Sequence, residues 1–328
     1  MFIIATMIFV GVGIYYISQI YNSPTSYPGN EVKPITTTVI NESKSASSSI
    51  NIIKIGIVKA TFTGGAYNDA FYKFYGKYVT SKPSANINTD INLLTGIIPN
   101  HAVGNYALWY IPPMANQLKS ILPSGRVTIL SDESVHRGLI FYKNGTNAYD
   151  LLILGHQEYV TQKEYDNLKY FVNNGGKIIF LDGNVFYAEV RYNDTANTVT
   201  LVKGHAWKFD GKVAKRDVIE RWYNETKEWV GGNFWTVPVG KKIYFTHNVF
   251  NYTHFEETYV NNPKDIIILD YGAYVPTAKI QTDIATYELN YGKGEVIVLG
   301  LYGENLVDNT TFIPFFKSLV REMVSHNL

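Results

Sequence analysis

From residue 51 onward, short apolar runs alternate with amphipathic stretches. NIIKIGIVKA (51–60), RVTIL (126–130), YDLLILG (149–155), KIIFLDG (177–183) and KDIIILDYG (264–272) are β-branched and aliphatic. Their hydrophobicity is nearly continuous, as it is in strands covered on both faces. Between 149–155 and 177–183, Thr161 and Glu164 make a T-x-x-E capping box. Tyr165, Leu168 and Phe171 or Val172 then recur at helical spacing, and Gly175-Gly176 closes the helix. Strand, helix and strand in this order predict a right-handed βαβ crossover with parallel strands.

Further on, IATYELNYGKGEVIVLGLYGEN (284–305) alternates about Tyr291-Gly292-Lys293-Gly294, a hairpin signal. Residues 312–325 predict a last helix, with Pro314 in its first turn. The stretch 192–250 holds a strand-like TVTLVKG and a helix-like RDVIERWYNETKEW, and reads as an inserted cap on the 51–328 domain. The expected class is α/β: a doubly wound, mostly parallel sheet with an antiparallel edge hairpin.

The first 20 residues, MFIIATMIFVGVGIYYISQI, carry no charge, and as a helix would span about 30 Å, the thickness of a hydrocarbon core. No Lys or Arg precedes the run and no clear small-residue cleavage site follows, so an uncleaved membrane anchor is preferred over a cleaved signal or a buried helix. Residues 21–50 are rich in Pro, Ser, Thr and Asn and read as a flexible stalk. Sequons at Asn41, Asn144, Asn193, Asn224, Asn251 and Asn309 favour an outward-facing, glycosylated domain at the cell membrane, with secretion the alternative.

Composition narrows the chemistry. The 328 residues include no Cys, which excludes disulfides, cysteine nucleophiles, zinc ribbons and iron–sulfur clusters. A net charge of +1 offers no field to recruit nucleic acid. Charged residues are 17% of the chain, while Tyr alone supplies 26. Phenols are therefore plentiful candidate oxygen donors.

In doubly wound sheets, ligands gather at the carboxyl ends of the strands. Three such ends are polar here: Thr61 to Asp69 after the first strand, Gly155-His156-Gln157-Glu158-Tyr159, and Asp182-Gly183-Asn184. The second sits where a strand-to-helix nucleophile turn would stand in a glutamine amidotransferase-like domain. With no Cys in the chain and no Ser at that turn, both nucleophile mechanisms fail. An imidazole and a carboxylate remain, suited to metal ligation or acid/base work, or to hydrogen-bonding the loop and capping a helix.

The GHQEY turn, the GGKIIFLDGN strand, the FYAEVR continuation and the Ala66-Tyr67-Asn68 triplet resemble the C-terminal domain of the N,N-dimethylformamidase large (beta) subunit. The resemblance implies a glutamine amidotransferase-like or flavodoxin-like fold. It also implies a ferric ion held by two tyrosines and a glutamate, and hydrolysis of N-substituted amides. Carried over by position, Glu158 is the carboxylate ligand and Tyr67 one phenolate ligand. His156 is the acid/base or supporting group, and Asn184 an orienting amide. The family's tryptophan after the turn is Val160 here, that of the tail is Ala188, and the second tyrosine has several candidates in Tyr75, Tyr78, Tyr106 and Tyr110.

Other features read more plainly. Asp132 and His136 cap a segment or enter the pocket; His247 and His254 are loop residues, and His205 shares their insertion. Trp207, Trp222, Trp229 and Trp235 form a satellite core or an aromatic platform. Most of the stripe Phe71, Tyr72, Phe74, Tyr75, Tyr78 is packing, and Gly64-Gly65 makes only a weak anion cradle. Two functions fit: an anchored iron-dependent hydrolase of small amides, and a noncatalytic surface module binding glycan or protein. If residues 1–20 anchor the chain, the full protein partitions into membranes and a version starting at Asn51 stays folded in solution. An external protease then reaches a tag at residue 328 on intact cells; protection of that tag reverses the orientation.

Overall fold

The structure, a computed structural model, describes residues 52–67, 70–80, 84–86, 89–99, 110–122, 125–181, 185–186, 188–210, 213–217, 219–232, 241–245, 266–269, 287–299, 310 and 312–325. The expected anchor and stalk, Asn184, Tyr106, Trp235, His247 and His254 lie outside them. No helix among the described residues is long and apolar enough to cross a membrane.

In chain order the strands are β1 (Lys54–Lys59), β2 (Ser84–Asn86), β3 (Thr95–Ile97), β4 (Arg126–Ser131) and β5 (Leu151–Leu154). There follow β6 (Tyr159–Val160), β7 (Lys177–Phe180), β8 (Ala188–Asn193), β9 (Thr198–Gly204) and β10 (Trp207–Asp210). The last are β11 (Val213–Arg216), β12 (Lys241–Phe245), β13 (Ile266–Leu269), β14 (Tyr287–Tyr291) and β15 (Gly294–Val298). The helices are α1 (Thr61–Ala66), α2 (Ala70–Tyr78), α3 (Ile111–Ile121), α4 (Asp132–His136), α5 (Gln162–Asn173), α6 (Tyr223–Trp229) and α7 (Phe312–Ser325).

Eight strands form one sheet in the order β13-β12-β14-β15-β7-β5-β1-β4. Pairing is parallel from β4 through β1, β5 and β7 to β15. From β1 the chain goes outward to β4, then returns to β5 on the other side. That reversal opens a crevice between the carboxyl ends of β1 and β5. The β14–β15 hairpin is interior, which corrects the edge position expected for it. β15 pairs with β7, while β14 pairs antiparallel with β12, which continues parallel to β13. The apolar runs KKIYF and IIIL thus extend the sheet beyond the hairpin.

Side chains alternate across this sheet. Ile55, Ile57, Ile153, Ile179 and Ile297 meet α3 and α7 on one face, through Met114, Leu118, Phe315 and Phe316. On the other face, Val58, Leu152, Leu154, Ile178 and Phe180 meet Leu168 and Phe171 of α5, with Trp222 and Trp229. Each such side chain contributes about 1.5–3 kcal/mol on burial, and both faces of every central strand are used. The near-continuous hydrophobicity follows.

The second sheet has the order β2-β11-β10-β9-β8-β6, with β3 also paired to β9. The expected cap is therefore not confined to 192–250, because β2, β3, β6 and most of β8 come from earlier in the chain. Phe62, Phe71, Phe74, Val199, Leu201 and Trp207 form the apolar layer between this sheet, α1 and α2. Trp207, Trp222 and Trp229 are buried in cores, so the aromatic platform is not built from these three. The helix expected from 216 begins at Tyr223, because Trp222 adopts the left-handed conformation at φ 57° and cannot continue a helix.

α5 begins at the predicted N-cap, with the Glu164 amide donating to Thr161 Oγ1 at 3.1 Å. It ends in a Schellman motif: Gly176 N donates to Phe171 O and Gly175 N to Val172 O, with Gly175 at φ 94°. Gly155, which ends β5, has a different reason to be glycine. A Cβ there would fall on the Tyr110 hydroxyl, the residue before α3. We expect Gly155→Ala to lower stability by about 1–3 kcal/mol, the usual range for overpacking. Tyr110→Phe should recover part of that loss in a denaturant double-mutant cycle, and additive effects would contradict the contact.

Candidate functional site

The crevice at β1 and β5 is lined by polar side chains from three directions. α1 follows β1 directly and ends at Tyr67, whose amide donates to Thr63 O at 2.9 Å. The turn His156-Gln157-Glu158 leaves β5, and the β9–β10 hairpin brings in His205. The Tyr67 hydroxyl donates to Glu158 Oε2 and lies 2.6 Å from His156 Nε2. His156 Nε2 is 3.3 Å from the same carboxylate oxygen. His205 Nε2 is 2.8 Å from Glu158 Oε1 and 2.6 Å from the Tyr159 hydroxyl. Tyr72 stands edge-on to Tyr67, with ring centroids 5.0 Å apart, and Tyr75 lies 4.3 Å from the His205 ring.

Glu158 is 1% exposed. Burial alone would push its carboxyl upward, but the hydrogen bonds and charges of His156 and His205 outweigh that and hold it well below the usual carboxylate range. An ionised carboxylate only accepts, so both imidazoles present Nε2–H to it. Burial, and then the Glu158 charge, push the Tyr67 and Tyr72 phenols well up. The site is one anion surrounded by neutral phenols and imidazole donors.

A second polar layer lies under the turn. Because side chains alternate, Gln157 points away from its neighbours, and its Nε2 donates to Val58 O at 3.3 Å and Asp132 Oδ1 at 3.2 Å. Asp132 Oδ2 accepts the Phe62 amide at 2.7 Å, which caps the start of α1. The turn is further fixed by Tyr159 N to Thr63 Oγ1 at 3.1 Å, and by Phe186 N and Ala188 N donating to Gln157 O and Glu158 O. Burial pushes Asp132 up to about 7 against the opposing Phe62 hydrogen bond. Burial and the Asp132 charge push Glu164 well up. Charge on either carboxyl disfavours charge on the other. His136 Nδ1 meets Thr161 Oγ1 at 2.7 Å, a structural role.

The structure thus brings together Tyr67, His156 and Glu158, three of the four residues the sequence singles out. Glu158 faces Tyr67 and does not cap α5, where Thr161 serves. Of the tyrosines offered as the second ligand, Tyr75 borders the site and Tyr110 stands against Gly155, while Tyr78 bonds Asp90 instead. Gly65 packs within α1 against Val199 and β3, so it reflects close packing and not an anion cradle. Sequence reasoning gave no site role to His205, Tyr72 or Glu220. His205 carried one signal, its place in KGHAWK between two alternating runs, where a hairpin tip falls. Glu220 is 5% exposed, accepts the Ala206 amide at 3.2 Å, and is pushed up to about 8 by burial.

Fold and site together define a mixed α/β protein with a buried carboxylate, phenol and imidazole cluster at a switch point of its sheet. The chain belongs to the N,N-dimethylformamidase beta subunit-like, C-terminal family, whose pattern matches residues 53–265. No curated protein matches it. Similar solved structures include Gan42B, a GH42 beta-galactosidase of G. stearothermophilus, at 15% identity and TM-score 0.32, covering 68% of this chain and 26% of that one. A catalytic mutant of the same enzyme matches at 14% identity and TM-score 0.32, covering 83% of this chain and 30% of that one. The chain therefore spans about a quarter to a third of these structures.

The ferric ion expected from the resemblance would need hard oxygen donors. Among the described residues no three His, Asp or Glu side chains are arranged to hold an ion. Tyr67 supplies a further hard oxygen donor in contact with Glu158, and Tyr72 a second phenol beside it. Hard oxygen donors suit Fe(III), and a buried anion among raised phenols is where a cation would be favoured. Tyr67 and Glu158 are thus donors of the type a ferric ion takes.

The Asp132–Glu164 pair makes a pH prediction. Below about pH 4 the folded and unfolded chains both hold these protons. Between about pH 4 and 7 the unfolded chain releases protons that the folded chain keeps, so stability declines as pH rises. Glu164→Gln should flatten that decline relative to wild type, by on the order of 1–3 kcal/mol at about 1.4 kcal/mol per pKa unit. Urea unfolding from about pH 4 to 8.5 reads the difference; parallel curves for the two proteins would contradict the raised Glu164 carboxyl.

Proposed function

We propose that this chain is a hydrolase of N-substituted amides (C–N bonds other than peptide bonds), with Tyr67 and Glu158 holding a ferric ion. The observation that carries the reading is the buried contact of Tyr67, His156 and Glu158 at the carboxyl ends of β1 and β5. Family membership supports the reaction class. A ferric ion bound there would supply Lewis acidity toward an amide carbonyl and toward a water.

The chain's own residues account for the rest. Glu158 is kept ionised by two imidazoles, so its charge is available without a proton to remove. Tyr67 is neutral and must lose its proton to serve as a phenolate; its hydroxyl donates to Glu158 Oε2, and His156 Nε2–H, 2.6 Å from the phenol oxygen, would stabilise the phenolate. His205 holds the far carboxylate oxygen, and the Tyr159 hydroxyl holds the His205 ring, fixing its orientation. Asn184 is assigned the orienting amide by its position after β7. Residues 1–20 are proposed to hold the domain on the outer face of the cell membrane. The sequons at Asn144, Asn193 and Asn224 have exposed asparagines, in keeping with that placement.

Losing a supporting partner of a metal ligand costs roughly 10–100-fold. Loss of a ligand charge in Glu158→Gln should therefore cost more than about 100-fold in both iron affinity and amidase activity, with the fold retained. Tyr67→Phe should cost less, about 10–100-fold, and should remove visible tyrosinate-to-iron absorption. Iron analysis, absorbance and amide hydrolysis on the purified protein check this. A colourless, iron-free and inactive protein favours the noncatalytic module that binds glycan or protein.

A further inference from the structure

Two consecutive residues between β9 and β10 occupy the left-handed region, His205 at φ 51° and Ala206 at φ 62°. Gly204 pairs with Trp207, so these two residues are the whole turn. A two-residue turn of this kind requires positive φ at both positions, which is why Asn-Gly usually fills it. Histidine and alanine have no such ease. Side chains held there carry strain, and they persist when the surroundings over-determine them.

The surroundings do so at Ala206. Its amide donates to Glu220 Oε1 at 3.2 Å, and its carbonyl accepts the Asp217 amide at 3.0 Å. Asp217 is itself tied to β9 by Lys203 Nζ at 2.8 Å. Glu220 lies on the connection from β11 to α6, so it grips the turn from outside the hairpin. It is buried, and its other oxygen, Oε2, has no hydrogen-bond partner among the described residues. The turn it grips delivers His205 to Glu158 Oε1 at 2.8 Å, with the Tyr75 ring 4.3 Å behind the imidazole.

We infer that Glu220 is a positioning residue of the site: its carboxyl oxygen clamps the left-handed turn through the Ala206 amide and so holds the His205 imidazole against Glu158. This goes beyond the amide-hydrolase reading and requires neither metal nor substrate. The clamp needs an acceptor and not a charge. An amide oxygen in the same place serves, whereas truncation frees the turn to relax and withdraws the imidazole.

Histidine-selective NMR of the metal-free 328-residue chain tests this. Glu158→Gln sets the reference for His205 without its anionic partner. E220A is expected to move the His205 ring signals more than half of the way to that reference, while the Trp229 indole signal stays in place. E220Q is expected to leave His205 at its wild-type position. If E220A does not fold, E220D, one methylene shorter, should give the same shift. His205 signals unmoved in E220A, or moved as far in E220Q as in E220A, would overturn the inference. So would a Glu158→Gln change that leaves His205 unaffected. Absence of iron or amidase activity leaves every arm of this test intact, so its failure is separable from failure of the proposed reaction.

Discussion

The charge of Glu158 is the constraint around which the site is organised. An ion taken out of water costs several kcal/mol even after relaxation, unless its oxygens are fully hydrogen-bonded. Here the donors come from three elements: Tyr67 at the end of α1, His156 on the same turn, and His205 from the second sheet. None of the three is near another in sequence, and only His156 shares a turn with Glu158. The main sheet, α1 and the β9–β10 hairpin must therefore close together for the carboxylate to remain ionised. Stability and site geometry depend on the same contacts.

Acidic groups in and beneath the site are driven in opposite directions. Glu158 is held ionised by imidazoles, whereas Asp132, Glu164 and Glu220 are pushed up by burial with too few donors. Environments that separate the behaviour of like groups mark acid/base assignments in enzymes. The charge thus faces the crevice, while the protons lie in the supporting layer. Gln157 links the layers, since its position between His156 and Glu158 turns it toward β1 and Asp132.

Much of the main sheet could be read from the sequence because its signals are local. Continuous apolar runs marked β1, β4, β5, β7 and β13, and the Thr161 cap with Gly175 bounded α5. Tyr67, His156 and Glu158 could be read because strand ends are where ligands gather. The second sheet was less legible: β6 has two residues, β2 and β3 three each, and its half-buried strands are joined by long-range pairing. α1 was invisible, because TFTGGA has two glycines and two threonines and depends on Asp132, seventy residues away, for its start. His205 and Glu220 entered through a strained turn and a loop, which local pattern does not encode. The interior place of the β14–β15 hairpin was likewise set by β12 and β13, which follow the domain's middle segments in the chain.

The most direct test of the central claim is anomalous scattering at the iron edge from crystals of the protein equilibrated with ferric ion. The account predicts one peak about 2 Å from both the Tyr67 hydroxyl oxygen and a Glu158 carboxylate oxygen, the usual separation of a metal from an oxygen ligand. A peak elsewhere in the molecule, or Tyr67 and Glu158 more than about 10 Å apart and so too distant to share one ion, would contradict it.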